Sequence, residues 1–288
     1  MQSNNPVFRR SAEFNGSAAN AHGQQTYAGG AGYGYNQGQY GNGDPSTWDM
    51  SRATGPGSTP TRRMTIDSVV QSAAITLGVV ILSALATWIV IGDVATNVGA
   101  SRAMMLAFVG GIAAFGLSLV NSFKRTVSPA LVLVFAVAEG VAMGAISKVF
   151  DSFAGGGVVT GAVIGTFAAF AGTLAAYKVL NIQVGDKFRK FVVAAMFGML
   201  GLGLMELLLS AFGAELGLFG FGGLGILFAV AGLVLGVFML ILDFDYVEQG
   251  IRFGIDERES WRAAFAMTVS LVWIYTNLLR LLAIFSQD

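Results

Sequence analysis

From Val69 onward the chain is a succession of long apolar runs separated by short polar stretches. A helix rises about 1.5 Å per residue, so about 20 residues cross about 30 Å of hydrocarbon. Seven runs are long enough: about 69–91, 103–123, 129–149, 158–177, 191–212, 219–243 and 263–285. Pro129 opens the third, where a missing N–H does no harm. Gly92, Gly155–Gly157 and Gly213 punctuate run ends. No run alternates polar and apolar residues at every second position, as the strands of a membrane barrel would. No repeat of 20–50 residues is evident. The pattern predicts an all-α, polytopic membrane protein.

Residues 1–61 follow a different rule. They hold eleven of the 39 glycines and four of the seven tyrosines, and Gly23–Gly43 is almost entirely Gly, Gln, Asn, Tyr, Ala, Ser and Thr. Little there can be buried to offset the entropy of ordering. The expectation is a disordered tail over 1–63 ahead of a membrane domain over 64–288. The tail would be a tether or a weak self-association segment using its tyrosines. Its first 60 residues contain no apolar run of the kind a cleaved signal peptide carries.

Composition narrows the chemistry. Of 288 residues 54% are apolar and 12% charged, about half the charged share of a soluble domain. There is no cysteine, and the single histidine, His22, lies in the tail. Disulfides, a thiol nucleophile and a zinc–thiolate site are excluded. The 17 basic and 17 acidic residues cancel, which argues against nucleic acid as a partner. Fourteen of the basic residues fall on the tail side of the alternating runs; Arg102 and Lys148 fall on the other, and Arg280 lies inside the seventh run. Positive charge stays in the cytoplasm. The N-terminus is therefore expected inside the cell and the C-terminus outside it, in the plasma membrane.

Most runs carry no charge, so the exceptions matter. Ionisable groups at membrane depth are unfavourable unless paired or wetted, and are functional candidates by default. Glu139 lies near the middle of the third run, beside the small-residue step Gly140–Gly144 that permits close helix approach. It is a candidate proton acceptor or cation site. Glu206 and Arg280 should lie at similar depth in the outer leaflet and are expected to form a buried ion pair. Asp243 and Asp245 are expected to end helix 6 at the cytoplasmic side. Two apart, they point about 200° from each other on a helix, whereas Asp245, Glu248 and Gln249 share a face. Lys124 and Arg125, ending helix 2 at that level, are candidate counter-ions. Ser270, Asn277 and Arg280 give helix 7 a polar stripe that belongs inside the bundle. A milder stripe on helix 1, Ser72, Thr76, Ser83 and Thr87, reads as packing.

These features together resemble one family. Seven helices, the acidic segment Asp243–Gln249 and the last-helix sequence from Val272 to Ile284 resemble the Bax inhibitor-1 (YccA-like) membrane proteins. Asn5–Arg10 and Glu257–Arg262 look like its bacterial branch. The resemblance covers roughly Met64–Phe285. It implies six helices around a central seventh, and a pH-sensitive calcium leak. It also implies two aspartates that share protons near the cytoplasmic mouth, one at the end of helix 6 and one in helix 7. Two nearby carboxyls cannot both ionise cheaply, so such a pair can act as a proton-set latch. Asp245 matches the helix 6 position best, Asp243 slightly less well. The helix 7 position falls on Ser270, a departure from the pattern. Either Asp243 or Glu139 replaces the missing carboxylate, or the switch is absent.

Two functions follow. One is a calcium or cation leak channel gated by protonation. Oxygen donors from Asp243 and Asp245 would meet the passing metal ion, Asp245→Asn would uncouple the pH response and Ser270→Asp would sharpen it. The other is a non-conducting modulator of membrane proteolysis or stress survival that binds a membrane-protein partner. No resident cofactor is expected; calcium enters only as cargo. An enzyme is not expected. No histidine lies in the membrane for a Ser–His dyad, and two aspartates on one helix end do not face each other as an aspartyl protease requires. A transporter of repeated halves with interrupted helices finds no support in the pattern.

Overall fold

The computed structural model describes residues 62–287. They fold into seven helices: α1 Ile66–Ile91, α2 Asn97–Phe123, α3 Pro129–Ala154, α4 Val158–Val179, α5 Asp186–Ala211, α6 Gly223–Phe253 and α7 Glu259–Phe285. Each is long and apolar enough to cross a membrane. Thr65 and Ser68 cap α1 reciprocally, each side chain accepting the other's backbone N–H. Pro129 sits in the first turn of α3. Gly254, with φ +62°, closes α6 in the left-handed conformation that glycine tolerates best. The expectations for the tail over 1–61 lie outside the described residues.

α7 is the central helix. It packs against α1, α3, α4 and α6. Half of its apolar span (50%) is buried in the bundle, against 11% for α5. Ala264, Thr268, Leu271, Ile274 and Leu279 all face inward from α7. α5 buries only Val192 and Glu206 and leans on α6 alone. Close approaches rest on small residues. A side chain at Gly140 or Gly144 would collide with Val80, Ser83 and Ala84 of α1, and one at Gly232 would collide with Asn277 of α7.

Two boundaries differ from the hydropathy reading. α6 continues ten residues beyond Leu242-Asp243, to Phe253, and α5 begins at Asp186 rather than near 191. Hydropathy reports the stretch that fits in lipid; the i→i−4 bonding of a helix continues through polar residues as readily. Asp243 and Asp245 therefore sit inside α6, not at its end. Asp243 stands ten positions before Phe253, so it lies about 15 Å from that terminus.

The root of the chain is clipped onto the α6–α7 turn. Arg63 and Asp256 form an antiparallel bridge. The Met64 N–H donates to the Ile255 carbonyl at 2.8 Å, and the Glu257 N–H donates to the Arg62 carbonyl at 2.8 Å.

Candidate functional site

The mid-bundle polar layer is built around α7, where α6 and α3 each pack against it. Ser270 Oγ, buried on α7, donates to Asp243 Oδ2 at 2.6 Å. Sequence reasoning put Asp245 ahead of Asp243 as the partner of this position. The α6 rotation reverses that order, because residues two apart cannot both face α7. Asp243 has a hydroxyl neighbour and, among the described residues, no ion-pair partner.

Glu139 stands on the row of α3 that faces α7. One turn below it, Phe135 meets Phe265 edge-on, with ring centroids 4.9 Å apart. One turn above, Met143 Sδ accepts from Thr276 Oγ1 at 3.6 Å, and two turns above, Ser147 and Tyr275 share a hydrogen bond of 2.6 Å. Helical neighbours recur at i and i+4. Glu139 therefore lies at the level of Val269–Ser270, the same level as Asp243 across the central helix. It is half-buried and makes no ion pair among the described residues.

Below this layer, toward the end of the bundle that holds residue 62, Asp245, Glu248 and Glu259 each have side-chain partners. Asp245 is buried and accepts from Arg189 Nη2 at 3.1 Å and from Gln249 Nε2 at 2.7 Å. Glu248 accepts from the Tyr177 hydroxyl at 2.9 Å and pairs with Arg252 at 3.3 Å. Glu259 accepts from the Tyr246 hydroxyl at 2.9 Å and pairs with Arg262 at 2.9 Å. The expected counter-ions Lys124 and Arg125 do not fill that role. Their backbone carbonyls accept from Arg262, and Arg189 supplies the cation for Asp245. Sequence reasoning missed Arg189 because it assigned the residue to a loop; the early start of α5 places it in the first helical turn.

Asp243 and Asp245 do not form a joint metal site. They address different helices, and among the described residues no three carboxylates or histidines gather to hold an ion.

The expected Glu206–Arg280 ion pair is replaced by a shared grip on a loop. Glu206, 5% exposed, accepts from the backbone N–H groups of Leu216 and Gly217, both at 3.0 Å. Arg280 Nη2 donates to the carbonyls of Leu218 and Gly220. Its guanidinium also lies 5.5 Å from the Phe219 ring centre. A loop at membrane depth has backbone groups that lipid cannot satisfy. The two charges bond that backbone instead of each other. The Ser72/Thr76/Thr87 stripe of α1 is buried, with Thr76 and Thr87 bonded to carbonyls one turn back, as packing residues.

Seven spanning helices, with α7 packed against α1, α3, α4 and α6 and Asp243 of α6 bonded to it, agree with the central seventh helix that the sequence resemblance implied; α2 and α5 do not touch α7. The family model described as "Bax inhibitor 1 like" matches residues 5–287. The chain belongs to the Bax inhibitor 1 like family. The match is wider than the resemblance read from Met64 to Phe285, and takes in the opening segment Asn5–Arg10. No curated protein matches the chain. The α7 residue bonded to Asp243 is a serine, Ser270, and not a second aspartate.

Proposed function

We propose that this membrane protein is a cation leak channel, with calcium as cargo, whose conduction is set by protonation of Asp243. The carrying observation is the Asp243–Ser270 bond between α6 and the central helix, about 15 Å inside the terminus of α6. An ionised carboxylate there offers oxygen to a hard cation. Protonated, it offers no charge, and the bond to Ser270 holds α6 against α7. Glu139, level with it on α3, is a second acid without a cation partner among the described residues and supports a path on both flanks of α7. Asp245, held by Arg189, then lines the mouth rather than the switch.

The protein is a plasma-membrane channel in this reading, with the N-terminus cytoplasmic, and performs no catalysis. The test is calcium flux into dye-loaded liposomes carrying the purified chain. Flux should rise as pH rises, and Asp243→Asn should leave it low and flat with pH. Absence of flux above empty liposomes at every pH would sink the channel. A non-conducting, partner-binding modulator would then be favoured. The observation on its side is α5, which turns nearly its whole surface outward to the membrane.

A further inference from the structure

A groove runs down the bundle between α1 and α4, which do not touch each other. Its floor is Leu271, Val272 and Tyr275 of α7 with Gly144 and Ser147 of α3, and its volume is about 220 Å³. Its hydroxyl groups are already satisfied. The Tyr275 hydroxyl is bonded to Ser147, and Thr166 donates to the Ala162 carbonyl one turn back. Its walls are apolar along their length, and its rims, Ile81, Leu85, Val163 and Phe167, are exposed on the outer surface of the bundle.

The groove has a definite length and a charged end. On α1 it extends from Leu77 to Trp88. At about 1.5 Å per residue that is about 16 Å, the depth of one leaflet of a hydrocarbon core about 30 Å thick. Trp88 lies three residues from the end of α1, where indole rings favour the membrane–water boundary. Over its ring, 4.4 Å from the centre, sits the ammonium of Lys148. No carboxylate among the described residues pairs with that ammonium. A one-leaflet apolar channel capped by an aromatic ring and an uncompensated cation matches one molecule: an acyl chain below a negatively charged headgroup.

We infer that the α1–α4 groove is a binding site for an anionic phospholipid, with one acyl chain lying on Leu271 and Val272 and the phosphate against Lys148. The lipid would belong to the leaflet on the side opposite residue 62. It would fill the gap between α1 and α4 and so brace the central helix. This site does not depend on whether the protein conducts ions.

The test uses the full chain in nanodiscs of phosphatidylcholine doped with lipids brominated on the acyl chain, which quench nearby tryptophan. The Trp88 signal is the difference between the wild type and Trp88→Phe. Brominated phosphatidylglycerol should reach half-maximal quenching of Trp88 at about fivefold lower mole fraction than brominated phosphatidylcholine, the effect of one lysine on one anionic lipid. Lys148→Gln should erase that preference and Lys148→Arg should keep it. Val163→Phe, which fills the groove from its α4 rim, should weaken quenching by both lipids. Equal quenching by the two lipids, unchanged by Lys148→Gln, overturns the headgroup site. Quenching untouched by Val163→Phe overturns the seated chain.

Discussion

Charged groups occur at membrane depth toward both ends of the bundle, but they are satisfied in opposite ways. Near the α5–α6 loop, Glu206 and Arg280 bond backbone atoms: two N–H groups on one side and two carbonyls on the other. Toward the terminus that holds residue 62, Asp243, Asp245 and Glu248 bond side chains: a hydroxyl, a guanidinium, an amide and a phenol. Backbone partners are fixed by the fold and cannot be exchanged without moving the loop. Side-chain partners can rotate away, lose a proton partner or yield to an ion. The far-end charges therefore read as architecture, and the acids along α6 as a place where occupancy can change.

The contrast predicts a ranking of mutant effects. The largest belongs to Glu206→Ala. It strands two backbone N–H groups in a dry site and leaves the Arg280 charge unopposed, which should remove about 2–4 kcal/mol of stability. Thermal unfolding in nanodiscs would measure it beside Asp243→Asn, which should change stability by about 1 kcal/mol or less because Asn can still accept from Ser270. If the two variants unfold alike, the division between architecture and switch fails.

Next come changes at Ser270. Ser270→Ala removes the donor to Asp243 and should shift the pH profile of calcium flux while leaving the fold intact by circular dichroism. Ser270→Asp would place a second carboxyl within reach of Asp243, so that one proton serves two groups. The flux profile should then steepen with pH; an unaltered profile in both variants would mean the bond has no part in gating. The smallest effect is expected for Arg189→Gln. The Arg189 side chain is half-exposed at 51%, so its pair with Asp245 should contribute under about 1 kcal/mol. The loss should fade in concentrated salt, and a salt-insensitive loss would place Asp245 deeper than its neighbours imply.

Much of the fold was legible in the residue pattern, because lipid enforces long apolar runs and one charge in a run is conspicuous. Number, order and the inward stripe of α7 followed from that. The site was legible only in part. Glu139, Asp243 and Ser270 stood out as polar residues where none are tolerated freely. Which aspartate faces Ser270 depends on the rotation of α6, and a pattern that fits both positions nearly equally cannot resolve it. Glu206 and Arg280 looked like an ion pair because side chains are visible in a sequence and backbone carbonyls are not. Arg189 was hidden by a polar first turn that hydropathy assigns to a loop.

The clip between Arg63 and Asp256 ties the first described residues to the hinge joining α6 and α7. Its backbone contacts thus join the entry to α1 with the connection between the two helices that carry Asp243 and Ser270. The same three-residue stretch that leads into α1 is therefore bonded to the turn from which α7, the helix carrying Ser270, departs.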